Sequence, residues 1–177
     1  MNAAERLRKV AEYERWANQK TIESIKSAES GLLSQASRIG AAPDDVYNRY
    51  ARALAVMGHI LWARRRWLWR LGESEPPPEV MPVKEWPVAR LSEESDDLDR
   101  LWTKFLAGLK DADIDTELKY RGGDGADYAD TIGQVCDHVF NHSTYHRGQV
   151  AMLVKQCGGE PAETDYIHYV HEAEVKK

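Results

Sequence analysis

The chain has 177 residues, a length that one domain accommodates. Hydrophobic residues make up 42% of it and charged residues 30%, enough apolar material for a core and enough charge for a solvated surface. A net charge of -5 argues against general affinity for nucleic acid, which needs cationic surface to displace counterions. No stretch approaches the ~20 apolar residues that cross a bilayer. The opening MNAAERLRKVAEYERW is charged throughout and lacks the apolar region of a secretory signal. The expected location is the cytoplasm, with no membrane partner.

In chain order, the first helix is predicted over residues 3–28, with Leu7, Val10, Ala11, Ala17, Ile22 and Ile25 at helical spacing. The second begins after Pro43-Asp44, capped by Asp44 or Asp45, and reaches Gly72. Its apolar stripe is Val46, Tyr50, Leu54, Met57, Leu61 and Leu68. Arg64-Arg65-Arg66 reads as a solvated face of this helix beside Trp67 and Trp69. Residues 73–90 carry Pro76, Pro77, Pro78, Pro82 and Pro87, so they form a connection and not a helix.

The third helix is predicted over 92–109, burying Leu98, Leu101, Trp102, Phe105 and Leu109. A polar turn at Gly122-Gly123-Asp124-Gly125 separates two short β-like arms, 117–120 and 127–129. The fourth helix covers 131–157 and stops at Gly158-Gly159. A tail, 160–177, has Tyr166, Ile167, Tyr169 and Val170 to pack on the rest. The two cysteines, Cys136 and Cys157, fall on the same helix with Cα atoms roughly 30 Å apart, too far for a disulfide. Reduced thiols again suit the cytoplasm. Four amphipathic helices with one long Pro-rich connection make an all-α bundle, read as a single domain.

The histidines carry the chemistry. Five of the six lie in the last forty residues, and His138, His142 and His146 share one helix. Neighbours four apart are separated by about 40° around the axis and about 6 Å along it, so two adjacent imidazoles can converge on one ion. His138 and His146, two turns apart, cannot readily do so together. The apolar stripe Ile132, Val135, Val139, Val150, Leu153 leaves a gap, and His142 and His146 fall in it. Buried imidazoles need partners. Either they donate to protein oxygens, or they bind a metal with a third ligand from another helix. His59, the one histidine outside the C-terminal cluster, sits mid-way along the second helix and supplies that ligand. Three imidazoles leave room on the ion for water or substrate.

Two other metal patterns are excluded. A zinc-protease motif needs Glu directly after its first histidine, where Ser143 stands. A di-iron bundle needs Glu-x-x-His, and Val56, Val135, Val139, Ser143, Asp165 and His168 occupy the places three residues before the histidines.

The run His138-Val139-Phe140-Asn141-His142-Ser143-Thr144-Tyr145-His146-Arg147-Gly148-Gln149, followed by Gly158 and Asp165-Tyr166-Ile167, closely resembles the C-terminal signature of the DinB family. Tyr13-Glu14-Arg15-Trp16-Ala17-Asn18 and Gly58-His59-Ile60-Leu61-Trp62 resemble it too, in the expected order. The resemblance implies an antiparallel four-helix bundle, a homodimer in many members, with one divalent metal on His59, His142 and His146. The wider superfamily includes hydrolase-like proteins and transferases that use low-molecular-weight thiols.

Around that trio, Asn141 and Gln149 are candidates to orient the ligands. His138 is a candidate to hydrogen-bond at the site or simply to pack. Arg147 either pairs with Asp165 or meets an anionic substrate. His168 and His171 are expected on the surface of the tail. Zn²⁺ or Ni²⁺ suits three imidazoles. The expected function is a metal-dependent enzyme catalysing thiol transfer or hydrolysis on a small molecule. The alternative is a non-catalytic, stress-associated bundle whose metal only stabilises it.

Overall fold

The computed structural model describes residues 1–39, 44–77 and 86–175, with the backbone alone at 33–39 and 45. Its elements are α1 (Ala3–Ile39), α2 (Asp44–Arg70), α3 (Val88–Gly108), a 3-10 turn (Asp111–Asp113), β1 (Glu117–Arg121), β2 (Asp127–Thr131), α4 (Ile132–Gln156) and α5 (Tyr166–Val175). The chain is predominantly helical. Its long helices pack as an all-α bundle around residues such as Ile25, Met57, Leu61, Leu98, Trp102 and Val139.

Helix limits follow from local chemistry. α1 continues to Ile39 instead of stopping at residue 28, because its apolar stripe runs on through Ala28 to Leu32, both buried. α3 starts at Val88, earlier than the expected residue 92. Pro87, with φ fixed at -61°, occupies the N-cap, and Val88 and Leu91 are already in the core. α2 and α4 end alike. Gly72 and Gly158 take φ of 79° and 76°, a left-handed conformation that glycine adopts without a Cβ penalty. The turns are closed by Glu73 N–H to Leu68 O (2.8 Å) and Gly159 N–H to Val154 O (3.0 Å).

Of the proline connection, Pro76 and Pro77 follow α2 and Pro87 precedes α3, while Pro78 and Pro82 lie outside the described residues. Pro43 and the Asp45 side chain lie outside them as well.

The two β-like arms form an antiparallel hairpin with Tyr120 opposite Tyr128. It leads directly into α4. Thr131 ends β2 and caps the helix, its Oγ1 accepting from Gln134 N–H (3.2 Å) while Gln134 Oε1 accepts from Thr131 N–H (2.8 Å). The hairpin is thereby held against α2, where the Tyr120 ring meets Trp67 at 5.0 Å. The tail docks on α1 through Tyr13 O–H to Thr164 O (2.6 Å) and Trp16 Nε1–H to Glu172 (3.0 Å). Cys136 and Cys157 are both free and buried.

The arginine run is not a solvated face. Arg64 is only 2% exposed and donates to Asp99 of α3 at 2.8 Å. Arg65 reaches Glu94 and Asp97 on the same helix. The helical period turns three consecutive residues to different neighbours, so a run of like charges need not share one environment. Among the described residues, no helix is long and apolar enough to cross a membrane.

Candidate metal centre

The contact between α2 and α4 brings His59 against His142 and His146. All three are half-buried. Ring centroids lie 4.8 Å apart for His59 and His142, 4.6 Å for His59 and His146, and 4.4 Å for His142 and His146. One ring nitrogen from each falls within 4.8 Å of the other two. The Nε2 atoms of His59 and His142 are 3.0 Å apart, close enough for a hydrogen bond between the two rings or for two ligands of one ion with bonds of about 2.1 Å. A donor set of three imidazole nitrogens suits a borderline divalent cation.

The electrostatics agree with that fit. Burial, then the neighbouring His146, His59 and His138, push the His142 imidazole down to about 4, with Glu14 opposing. Burial and His146 also lower His59. Neutral imidazoles offer the lone pairs that ligation needs. Gln149 accepts through Oε1 from Nδ1 of His146 at 3.1 Å, which leaves Nε2 of that ring with its lone pair.

Register selects the same histidine pair as the sequence, but for a different reason. The buried stripe of α4 is Val135, Val139, Ser143, Arg147, Val150 and Val154. Ser143 and Arg147 fill the gap that His142 and His146 were expected to occupy. The histidines lie one residue, about 100°, to the side, half-buried, and His142 lines a cavity there.

The remaining candidates separate. His138 is close to the trio but not part of it, its ring 5.7 Å from His142 and 5.4 Å from Trp67. Asn141 is exposed and donates to Asp137 O on its own helix (2.8 Å), away from the cluster. Arg147 is buried and does not pair with Asp165. Its Nη1 meets Glu14 Oε2 at 2.5 Å and Asn18 Oδ1 at 3.1 Å, and its Nη2 meets Thr144 Oγ1 at 2.8 Å.

A cavity of about 350 Å³ opens beside the histidines, walled by α2, the hairpin and α4. His59 and His142 line it together with Trp62, Arg66, Arg70 and Tyr120. An ion on the three imidazoles would face this space.

The DinB family profile matches residues 1–177, the whole chain. The chain belongs to the DinB family. It is also similar to the protein named DinB of Bacillus subtilis (strain 168), with 24% identity over 174 residues, covering 96% of each chain. No solved structure matches it.

Sequence reasoning missed how this DinB chain braces its site. Glu14 and Asn18, one turn apart on α1, are fully buried. Asn18 donates to Glu14 (3.0 Å), and Arg64 approaches the same carboxylate at 3.9 Å. Burial alone would raise the Glu14 carboxyl, but Arg147, Arg64 and a hydrogen bond from Ser143 hold it below its ordinary value. These contacts tie α1, α2 and α4 together directly behind His142 and His146. The only signal in the sequence was the pair of polar residues inside the Tyr13–Asn18 motif, whose partner lies more than a hundred positions away.

Proposed function

We propose that this DinB-family chain is a metal-dependent enzyme whose mononuclear site is His59, His142 and His146. The observation that supports it is the convergence of three imidazole nitrogens, two of them, from His59 and His142, on the wall of an open cavity and not inside a sealed core. An ion held by these histidines, Zn²⁺ or Ni²⁺, would supply Lewis-acid chemistry, lowering the pKa of a thiol or water to near neutral pH. Gln149 fixes the His146 ring, and the buried Arg147–Glu14 pair fixes the segment of α4 that carries both histidines. No carboxylate stands beside the histidines in the motif as a general base. The reactions that suit such a site are transfer of a low-molecular-weight thiol to an electrophile, or hydrolysis.

The same reading includes an antiparallel four-helix arrangement of α1 to α4, with α5 as a strap on α1. It also includes a homodimer, which the family resemblance implies. A cytoplasmic location is supported by the two free, buried thiols.

Metal analysis of the purified protein tests the reading. About one equivalent per chain is expected, and His142→Ala should lose it along with any activity. A thermal-stability screen against small thiols should show a shift that disappears in chelator. Unchanged metal content in His142→Ala would refute the site. Metal binding with four protein ligands and no exchangeable position would refute catalysis and leave a stabilising role.

A further inference from the structure

The face of α2 that carries His59 into the cavity continues through Trp62 and Arg66 to Arg70, at intervals of three or four residues. Arg66 and Arg70 are unlike most other arginines near the core. Arg64, Arg65 and Arg147 each meet a carboxylate. Among the described residues, the close contacts of Arg66 and Arg70 are aromatic rings and a backbone carbonyl. The Arg66 guanidinium lies 5.0 Å from the Trp62 ring. That of Arg70 lies 4.5 Å from Trp67 and 4.2 Å from Tyr120, and donates to Arg121 O at 2.9 Å. Burial and the nearby Arg66 both pull Arg70 below its ordinary value, the signature of two cations sharing one partly dry space.

Among the described residues, the one acid lining the cavity, Asp124, is held ionised by its hydrogen bonds and leaves the two arginines in excess. Asp124 accepts from Tyr128 O–H (2.6 Å) and from Ala126 N–H (3.1 Å). Stacking on a ring holds a guanidinium flat and leaves its N–H edge as a fork for a two-oxygen anion. Along α2, the Cα atoms of Arg66 and Arg70 stand about 10 and 16 Å from that of His59. Helical side chains lean towards the N-terminus, so both heads reach back towards the histidines.

We infer that the cavity receives a small organic anion. Its carboxylate or phosphate is held by Arg66 and Arg70, and its far end is presented to His59 and His142. As a substrate, the anion rests on the proposed metal site. The anion site itself does not need the metal.

The test is therefore run on chelator-treated protein. Benzoate, phenyl phosphate and the neutral isostere benzamide are titrated by calorimetry, with the tryptophan indole NMR signals followed in parallel. Both anions should bind, the preferred head group showing as the tighter of the two. Benzamide should bind about tenfold more weakly or less, and added salt should weaken the anions. The double variant Arg66→Gln, Arg70→Gln should lose anion binding by about tenfold or more while keeping its metal stoichiometry and unfolding temperature. Equal binding of benzamide and benzoate, or unchanged anion binding in the double variant, would overturn the inference. If arginine-dependent anion binding persists but no metal is taken up by the untreated protein, the metal reading fails and the anion site stands.

Discussion

Replacing Arg147 by Met isolates the contribution of the buried ion pair behind the histidines. The side chains of Arg147 and Glu14 are each 1% exposed and meet at 2.5 Å. Without the arginine, Glu14 keeps Asn18 at 3.0 Å, Ser143, and Arg64 at 3.9 Å, so its charge stays in the core with one distant cation. Removing one partner of a buried pair costs about 3–5 kcal/mol, a large part of the ~5–15 kcal/mol by which a domain is stable. At this chain length that is a fall in unfolding temperature of about 6–20 °C.

Urea unfolding of the parent, Arg147→Met, Glu14→Gln and the double variant measures both the cost and the coupling. The double variant should recover part of the loss, since no uncompensated charge remains buried. The pH dependence has a definite sign. In the parent, Glu14 is depressed below its ordinary 4.5, so its contribution is present above that value and is lost as pH falls through the lower folded-state value. In Arg147→Met, burial dominates and raises the carboxyl, so the gap between the two proteins should narrow as pH drops from neutral towards 4.5. A loss under about 1 kcal/mol at neutral pH, or a gap that does not vary with pH, would refute this account of the pair.

Gln149→Leu removes the acceptor for His146 Nδ1, and metal affinity measured by chelator competition should fall roughly 10–100-fold with the fold unchanged. Equal affinity would show that Gln149 does not set that ring. Burial and Asp137 push the Cys136 thiol up to about 12, and burial also raises Cys157. Neither should react with a thiol reagent at mild alkaline pH in the native protein, and both should react once it is denatured. A fast-reacting thiol in native protein would contradict the buried placement.

Much of the local structure was written in the chain. Gly72 and Gly158 mark helix ends because only the sequence-local φ matters there. Thr131 and Gln134 cap α4 across three residues, and the Gly122–Gly125 turn folds back its two flanking arms. An i, i+4 histidine pair can be recognised because a helix has a fixed pitch. Along α1 the same logic stopped short, since the burial of Ala28 and Leu32 depends on what packs beside them.

Other features were set only by tertiary packing. The exact face of α4 was one, because Ser143 and Arg147 look like surface residues until Glu14, Asn18 and Arg64 arrive from other helices to pair the charge. Arg64 entered the core for the same reason, through Asp99 of α3. The three histidines are the meeting point of the two kinds of information. Helical spacing alone admits either adjacent pair among His138, His142 and His146, while the approach of α2 to α4 puts His59 within reach of His142 and His146 and leaves His138 against Trp67. Spacing within a helix is fixed by backbone geometry and can be read from sequence. Which helix faces which is decided by the burial of whole apolar faces and by pairing of charges far apart in the chain.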